Sequence, residues 1–265
     1  MQGSLGIVDW GIGGLGVYSY VKQLSDIPVL YFSDSGSTPF GQTPTKQLHD
    51  RLQKIFEHLA SLGATRIAIA CNAASAAYAD TDEVKGIITS GVKILRKYGE
   101  TNNKIGLLAG RSTVYSRVYA NQLGPRKFNL AQRVSQPLSA HVEAGRLDGE
   151  ELHRDLKKIM RPLRNCDAVL LACTHYPAIS DQINRYVNKD CEMLDPADEI
   201  ANWVVENWRY TSSGSKDRVL TTGNSKDLQK YGKLAFGVDL QDTEQAELQP
   251  IFHTEFHSNH LRLTR

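Results

Sequence analysis

The stretch Leu5-Gly6-Ile7-Val8-Asp9-Trp10-Gly11-Ile12-Gly13-Gly14-Leu15 decides the fold. A short apolar run ends on a carboxylate, a glycine cluster follows, and Val17 to Leu24 then reads as a helix. Strand, Gly-rich turn and helix form the opening unit of an α/β chain. The same alternation continues outward. Val29 to Phe32 is a second buried strand, followed by the polar loop Ser33 to Ser37 and by Pro39-Phe40-Gly41. Pro44 to Leu62 carries Leu48, Leu52, Ile55, Phe56, Leu59 and Leu62 at helical spacing. Strands are predicted at Arg66 to Ala70, Ile105 to Ala109, Ala168 to Ala172 and Arg218 to Thr222. Helices are predicted from about Thr113, at Leu147 to Arg161, at Ala197 to Trp208, and through Lys233. Such alternation predicts mostly parallel sheets covered by helices. Two half-chains each hold an apolar strand ending in Cys and a small polar residue, Cys71-Asn72 and Cys173-Thr174. The expected fold class is α/β with two pseudo-symmetric lobes, taken approximately as residues 1–94 with 209–265 and residues 95–208.

The bulk numbers bound the function. At 265 residues the chain suits two domains or one large one. Apolar residues make up 41% and charged residues 23%, which allows a sizeable core and argues against bulk disorder. Basic residues number 31 and acidic ones 29, so nothing points to nucleic acid or an anionic membrane as partner. The basic end, with His260, Arg262 and Arg265, reads as a solvated terminus, and residues 211–217 are the most loop-like stretch. There is no run of 18 apolar residues, so no span of a bilayer is expected. Met1 to Ser4 lack the basic and apolar regions of a secretory signal. Four cysteines are too few for a disulfide scaffold and are expected to stay thiols, which points to the cytoplasm.

In open α/β sheets, ligands sit beyond the carboxyl ends of the strands. Asp9, Asp34, Cys71, Cys173 and His175 all lie at such predicted ends. A single cysteine is more often a small buried hydrophobe than a reacting group. That reading weakens when two cysteines each close an apolar strand and precede a turn whose amides can stabilise a thiolate. A redox pair lacks the C-x-x-C spacing, and a metal site needs more ligands than Cys71, Cys173 and His175 offer. A third option is a pair of acid–base groups on opposite faces of one carbon. One thiolate removes an α-proton and the opposite thiol delivers another, inverting the centre.

At this point the residues resemble the glutamate racemases, within the two-cysteine Asp/Glu racemase group. The matching segments are Ile7 to Leu15, Pro39-Phe40-Gly41, Cys71 to Ala76, Ser112-Thr113-Val114, Val142 to Gly145, Leu171 to Pro177 and Thr221 to Asn224. They run in order from about residue 5 to 237, and Cys-Thr-His-Tyr-Pro with an upstream Cys-Asn is the specific combination. The resemblance implies an active site in the cleft between the lobes, no pyridoxal phosphate and no metal. Cys71 would serve one face of the α-carbon and Cys173 the other. Asp9 would stand beside Cys71 and the substrate ammonium, although an N-cap of the first helix is its plainer role. His175 would support Cys173, and Asn72, Thr113 and Thr174 would bind the α-carboxylate. Glu143 is a weaker carry-over that could be only a helix-end carboxylate. Family analogy implies a homodimer.

Three departures bear on the substrate. Trp10 stands where the glutamate racemases have serine, Phe40 replaces a tyrosine, and Ala73 replaces a threonine. All three match substrate-contacting positions, and each swap removes a hydroxyl from a site that discriminates through such groups. An inward Trp10 makes the pocket smaller or more apolar. A Trp10 turned away leaves binding to the backbone around Phe40 and Gly41. Three readings follow. The first is interconversion of L- and D-glutamate, supplying D-glutamate for peptidoglycan. The second is the same chemistry on aspartate, a hydantoin-like compound or a small apolar amino acid. The third is a catalytically idle ligand-binding homologue.

Overall fold

The computed structural model describes residues 3–99, 104–124, 129–210 and 216–248. The predicted loop at 211–217 lies outside these except for its last two residues, and the basic end around His260, Arg262 and Arg265 lies outside entirely.

In chain order, β1 (Ser4–Asp9), α1 (Leu15–Leu24), β2 (Val29–Ser33), α2 (Thr45–Ser61), β3 (Ala64–Ile69), α3 (Asn72–Ala77), β4 (Val84–Gly86) and α4 (Ile87–Gly99) come first. A second series follows: β5 (Ile105–Ala109), α5 (Arg111–Tyr115), α6 (Val118–Leu123), β6 (Leu130–Val134), α7 (Gln136–Glu143), α8 (Glu150–Met160), β7 (Ala168–Ala172), α9 (Ser180–Asn184), β8 (Glu192–Leu194) and α10 (Pro196–Asn207). The described part ends with β9 (Arg218–Thr221), α11 (Ser225–Phe236) and β10 (Thr243–Gln245). Every residue of β1, β2, β5 and β7 is buried, as parallel strands covered on both faces require.

Two wholly parallel sheets result. Their strand orders are β10-β9-β2-β1-β3-β4 and β6-β5-β7-β8. Within the first, β2-β1-β3-β4 follows the same path as β6-β5-β7-β8. In each series the chain starts at a central strand, steps to one side, then crosses to the other. Each crossing creates a topological switch point, where neighbouring connections leave in opposite directions and open a crevice. These points lie between β1 and β3 and between β5 and β7. Cys71 follows β3 and Cys173 follows β7, each the third strand of its series.

A continuous set of buried side chains joins the sheets, from Leu5 and Ile7 of β1 through Ile200 and Val204 of α10 to Val169 and Leu171 of β7. Helix α10 packs on both α1 and α4.

Several helix ends differ from expectation for local reasons. Helix α1 starts at Leu15, directly after Gly14. The helix expected from Thr113 is two short ones, interrupted at Arg117, whose φ of 55° is left-handed. Helix α8 starts at Glu150 because Gly149 turns the chain at φ 114°.

Candidate active site

The carboxyl ends of both sheets border one cavity of about 600 Å³. From the first sheet come Asp9, Trp10, Phe40, Gly41, Cys71, Asn72 and Ala73. From the second come Arg111, Ser112, Thr113, Gln136, Glu143, Cys173 and His175. Both cysteines are free thiols, partly open to the cavity.

Asp9 ends β1, next to the strand that delivers Cys71. Its side chain is fully buried. Oδ1 accepts the Trp10 amide at 2.5 Å and Oδ2 accepts the Thr174 hydroxyl at 2.8 Å. It does not cap α1, whose capping residue is Gly14 and receives no side-chain bond. Burial pushes the Asp9 carboxyl above its ordinary range, and the nearby His175 charge opposes that rise. Burial likewise pushes the Cys71 thiol well up, and the Asp9 charge adds to it. The amides of Ala74 and Ala73 work in the other direction by hydrogen bonding to the sulfur.

Cys173 stands in a different setting. Its Sγ lies 3.5 Å from His175 Nδ1, and His175 Nε2 lies 2.5 Å from Glu143 Oε1. Burial alone would press the His175 imidazolium down. The Glu143 carboxylate and the Cys173 sulfur more than offset this and raise it well above the usual imidazole range. The imidazole thus stands between the Cys173 sulfur and the Glu143 carboxylate, within hydrogen-bonding reach of both. Glu143, at the end of α7, is further fixed by the Ile12 amide at 2.8 Å. A methyl group on Gly11 would overlap the Glu143 carboxylate, so the glycine turn after β1 leaves the room that Glu143 occupies.

The polar donors fall into place less uniformly. Tyr119 donates to Asn72 Oδ1 at 2.7 Å, and Asn72 Nδ2 is buried with no hydrogen-bond partner among the described residues. Thr113 borders the cavity, buried at 2% exposure. Thr174 does not border it: its hydroxyl is spent on Asp9, so it positions that carboxylate instead of facing a ligand. Asp34 is also set apart. It is fully buried, takes Arg51 through Nε at 2.9 Å and a terminal nitrogen at 2.6 Å, and accepts the Thr222 and Ser37 hydroxyls. That network anchors the 34–37 loop, whose Ser37 carbonyl accepts Trp10 Nε1 at 3.1 Å. Trp10 thus borders the cavity with its indole nitrogen already satisfied. Arg111, Gln136 and Ser139 also border the cavity and were not among the expected residues. Gln136 and Arg111 sit just beyond β6 and β5, the strand-end position that would have marked them. Among the described residues no group of three or more His, Cys, Asp or Glu side chains is placed to hold a metal ion. No helix among them is long and apolar enough to cross a membrane.

A model of the Asp/Glu/hydantoin racemase family matches residues 21–204. The chain belongs to this family. It is an isomerase of the amino-acid racemase class. A glutamate racemase of Desulforudis audaxviator is 31% identical over 210 residues, 74% of this chain and 76% of that one. One from Beutenbergia cavernae is 28% identical and covers 91% and 92% of the two chains. Among solved structures, a glutamate racemase isoform of Bacillus anthracis superposes on this racemase with a TM-score of 0.84 at 23% identity, covering 93% of this chain and 98% of that one. A Francisella tularensis glutamate racemase in complex with D-glutamate gives a TM-score of 0.82 at 22% identity, with the same coverage. These two likenesses concern the fold, α/β with parallel sheets flanked by helices.

Proposed function

We propose that this racemase interconverts L- and D-glutamate without a cofactor, by proton transfer between Cys71 and Cys173, with D-glutamate for peptidoglycan as its use. The observation that carries the reading is that one cavity holds two free thiols from two different sheets, each backed by its own acidic group. The reading takes residues 1–94 with 209–265 as one lobe and 95–208 as the other, with the substrate held between them.

In the proposed reaction, the α-carboxylate takes a hydrogen bond from Asn72 Nδ2, which has no other partner, and one from Thr113. The substrate ammonium sits against Asp9. That contact matters for Cys71, because the Asp9 charge opposes a thiolate there and an ammonium cancels it. Substrate binding therefore helps to activate the thiol that it meets. One cysteine, as thiolate, takes the α-proton and becomes a thiol. The negative charge passes into the carboxylate held by the donors. The opposite thiol then delivers its proton to the other face and becomes the thiolate. No atom is gained or lost, and the two sulfurs have exchanged protonation states. Return to the starting state on the Cys173 side runs through His175 and Glu143.

The test is solvent deuterium entering the α-position of L- and D-glutamate, followed beside circular dichroism. Cys71→Ala and Cys173→Ala are each expected to lower racemisation at least about a hundred-fold, the scale of one lost acid–base group. Residual exchange is expected with one enantiomer only, the one whose α-hydrogen faces the remaining cysteine. Full racemisation surviving in both variants rejects the two-cysteine mechanism. Absence of exchange with glutamate in the unsubstituted protein, but presence with aspartate, a hydantoin or a small apolar amino acid, favours the second reading. Trp10, Phe40 and Ala73 on the cavity wall are what support that alternative.

A further inference from the structure

We propose that Arg111, backed by Ser112 and Gln136, holds the distal carboxylate of the substrate side chain. The proposal rests on the dicarboxylate reading above and assigns the side-chain subsite of the same cavity.

A dicarboxylic amino acid brings two carboxylates and one ammonium. The cavity must offer the second carboxylate a counter-charge or leave it desolvated at a cost. Asp9 and Glu143 are themselves acidic, and His175 is committed between Glu143 and Cys173. Asn72 and Thr113 serve the carboxylate at the reacting carbon. Among the described residues that line the cavity, Arg111 is the one lysine or arginine. Its guanidinium makes no ion pair or hydrogen bond among the described residues, whereas its backbone amide donates to Gln136 Oε1 at 3.1 Å.

The surroundings of Arg111 suit a carboxylate. Ser112 Oγ is buried and has no hydrogen-bond partner among the described residues. Gln136 is held on both sides, by the Arg111 amide and through its Nε2 to Ser139 Oγ at 3.4 Å. Gly41 opens this end: a Cβ there would lie 3.4 Å from Gln136 Oε1 and 3.7 Å from Ser112 Oγ. The subsite is thus bounded by the Phe40–Gly41 turn on one side and by α5 and the start of α7 on the other. Elsewhere on the cavity wall, Ala73 offers no side-chain donor, Phe40 of the bounding turn has none either, and the Trp10 indole already donates to Ser37. A planar guanidinium can bind a carboxylate through two parallel bonds, which a neutral hydroxyl cannot. One cation at the mouth therefore takes over the work of the three absent hydroxyls.

Calorimetric binding of glutarate and of pentanoate to the full chain reads this subsite without turnover. The unsubstituted protein is expected to prefer glutarate by about ten- to a hundred-fold, the range of one charge-assisted pair. Arg111→Met, at an exposed position, is expected to erase the preference while pentanoate affinity stays within about two-fold. Arg111→Lys is expected to restore part of it. No preference in the unsubstituted protein, or a preference that survives Arg111→Met, overturns the proposal. In turnover, Arg111→Met is expected to raise KM for glutamate by the same factor with little change in kcat, as for an interaction present in ground and transition states alike. A fall in kcat at constant KM overturns the subsite assignment. An Arg111-dependent glutarate preference in a protein that exchanges no α-proton of glutamate upholds the subsite and rejects the racemisation reading.

Discussion

A buried imidazole stays charged at neutral pH only if a carboxylate stands against it, and His175 has Glu143 at 2.5 Å. The pair therefore gives the site a pH dependence whose sign can be worked out. His175 is raised above its ordinary value in the folded protein. The stability it contributes is fully present below the unfolded imidazole pKa and is lost as pH rises through the folded one. The charged form that supports Cys173 disappears over the same interval. Glu143→Gln keeps an acceptor for the Ile12 amide but removes the charge. The alkaline limb of kcat/KM is then expected to move down by about 1 to 3 pH units, the usual effect of one close carboxylate. A pH–rate profile in which that limb does not move assigns Glu143 to structure alone. The neighbouring residues show what sequence can reveal at this scale. Asp9, Cys71 and Cys173 were legible because each ends or follows a buried strand, and strand ends point to the crevice. Thr174 was not. It lies in the irregular turn after β7, where no two-residue alternation says which way a side chain points, and its hydroxyl turns to Asp9. Asp34 also follows a strand, yet Arg51 from α2 captures it, a long-range pairing that local spacing does not encode.

Among the elements, β5 and β7 were readable residue by residue because both are continuous apolar runs buried on two faces. Strand β6 is a different object. None of its five residues is fully buried and its centre carries Gln132 and Arg133, so it pairs by backbone bonds with little apolar signature. Strands β4, β8 and β10 have three residues each, too short for any period to show. Gln136 lies just beyond β6, so its place at the cavity is as faint in the sequence as that strand itself. Helix α10 carries a separate prediction. Its capping residue Asp195 accepts the Ala197 amide at 2.9 Å, and burial pushes its carboxyl up to about 6 from 3.8. An acid with a raised folded-state value binds its proton more tightly folded than unfolded. Stability is then greatest below pH 3.8 as far as this group is concerned, and is lost as pH rises to about 6. The loss is at most about 3 kcal/mol, from 1.36 kcal/mol per pKa unit. Asp195→Asn retains the acceptor and has no charge to bury. Urea unfolding at pH 4 and pH 7 is expected to show that slope in the unsubstituted protein and a flatter one in the variant. Equal slopes assign the pH dependence to other groups.

At the scale of the whole molecule, the two sheets repeat one strand path and turn the carboxyl ends of their strands to a common cavity. The half-chain repeat was visible in the two Cys-ending strands. The meeting of the halves was not, because it depends on contacts between residues far apart in sequence, such as Ile12 with Glu143 and Thr174 with Asp9. Those contacts give the racemase reading a consequence beyond chemistry. A substrate that spans the cavity binds residues from both sheets, so it is expected to stabilise turns on both sides together. At a ligand concentration of 100 times Kd, linkage adds about 2.7 kcal/mol to stability, which raises Tm by roughly 5 °C in a chain of this size. Hydrogen exchange locates that gain. Glutamate is expected to slow exchange around residues 39–42 and 72–77 of the first half and around 110–115 and 136–143 of the second. Cys71→Ala should show the same protection despite its much lower racemisation, since the groups that hold the substrate remain. Arg111→Met should lose part of the protection at 110–115 and 136–143. Protection confined to one half means that the ligand does not bridge the sheets. Two cysteines on separate sheets could not then address opposite faces of one carbon, and the two-base reading fails with the bridge.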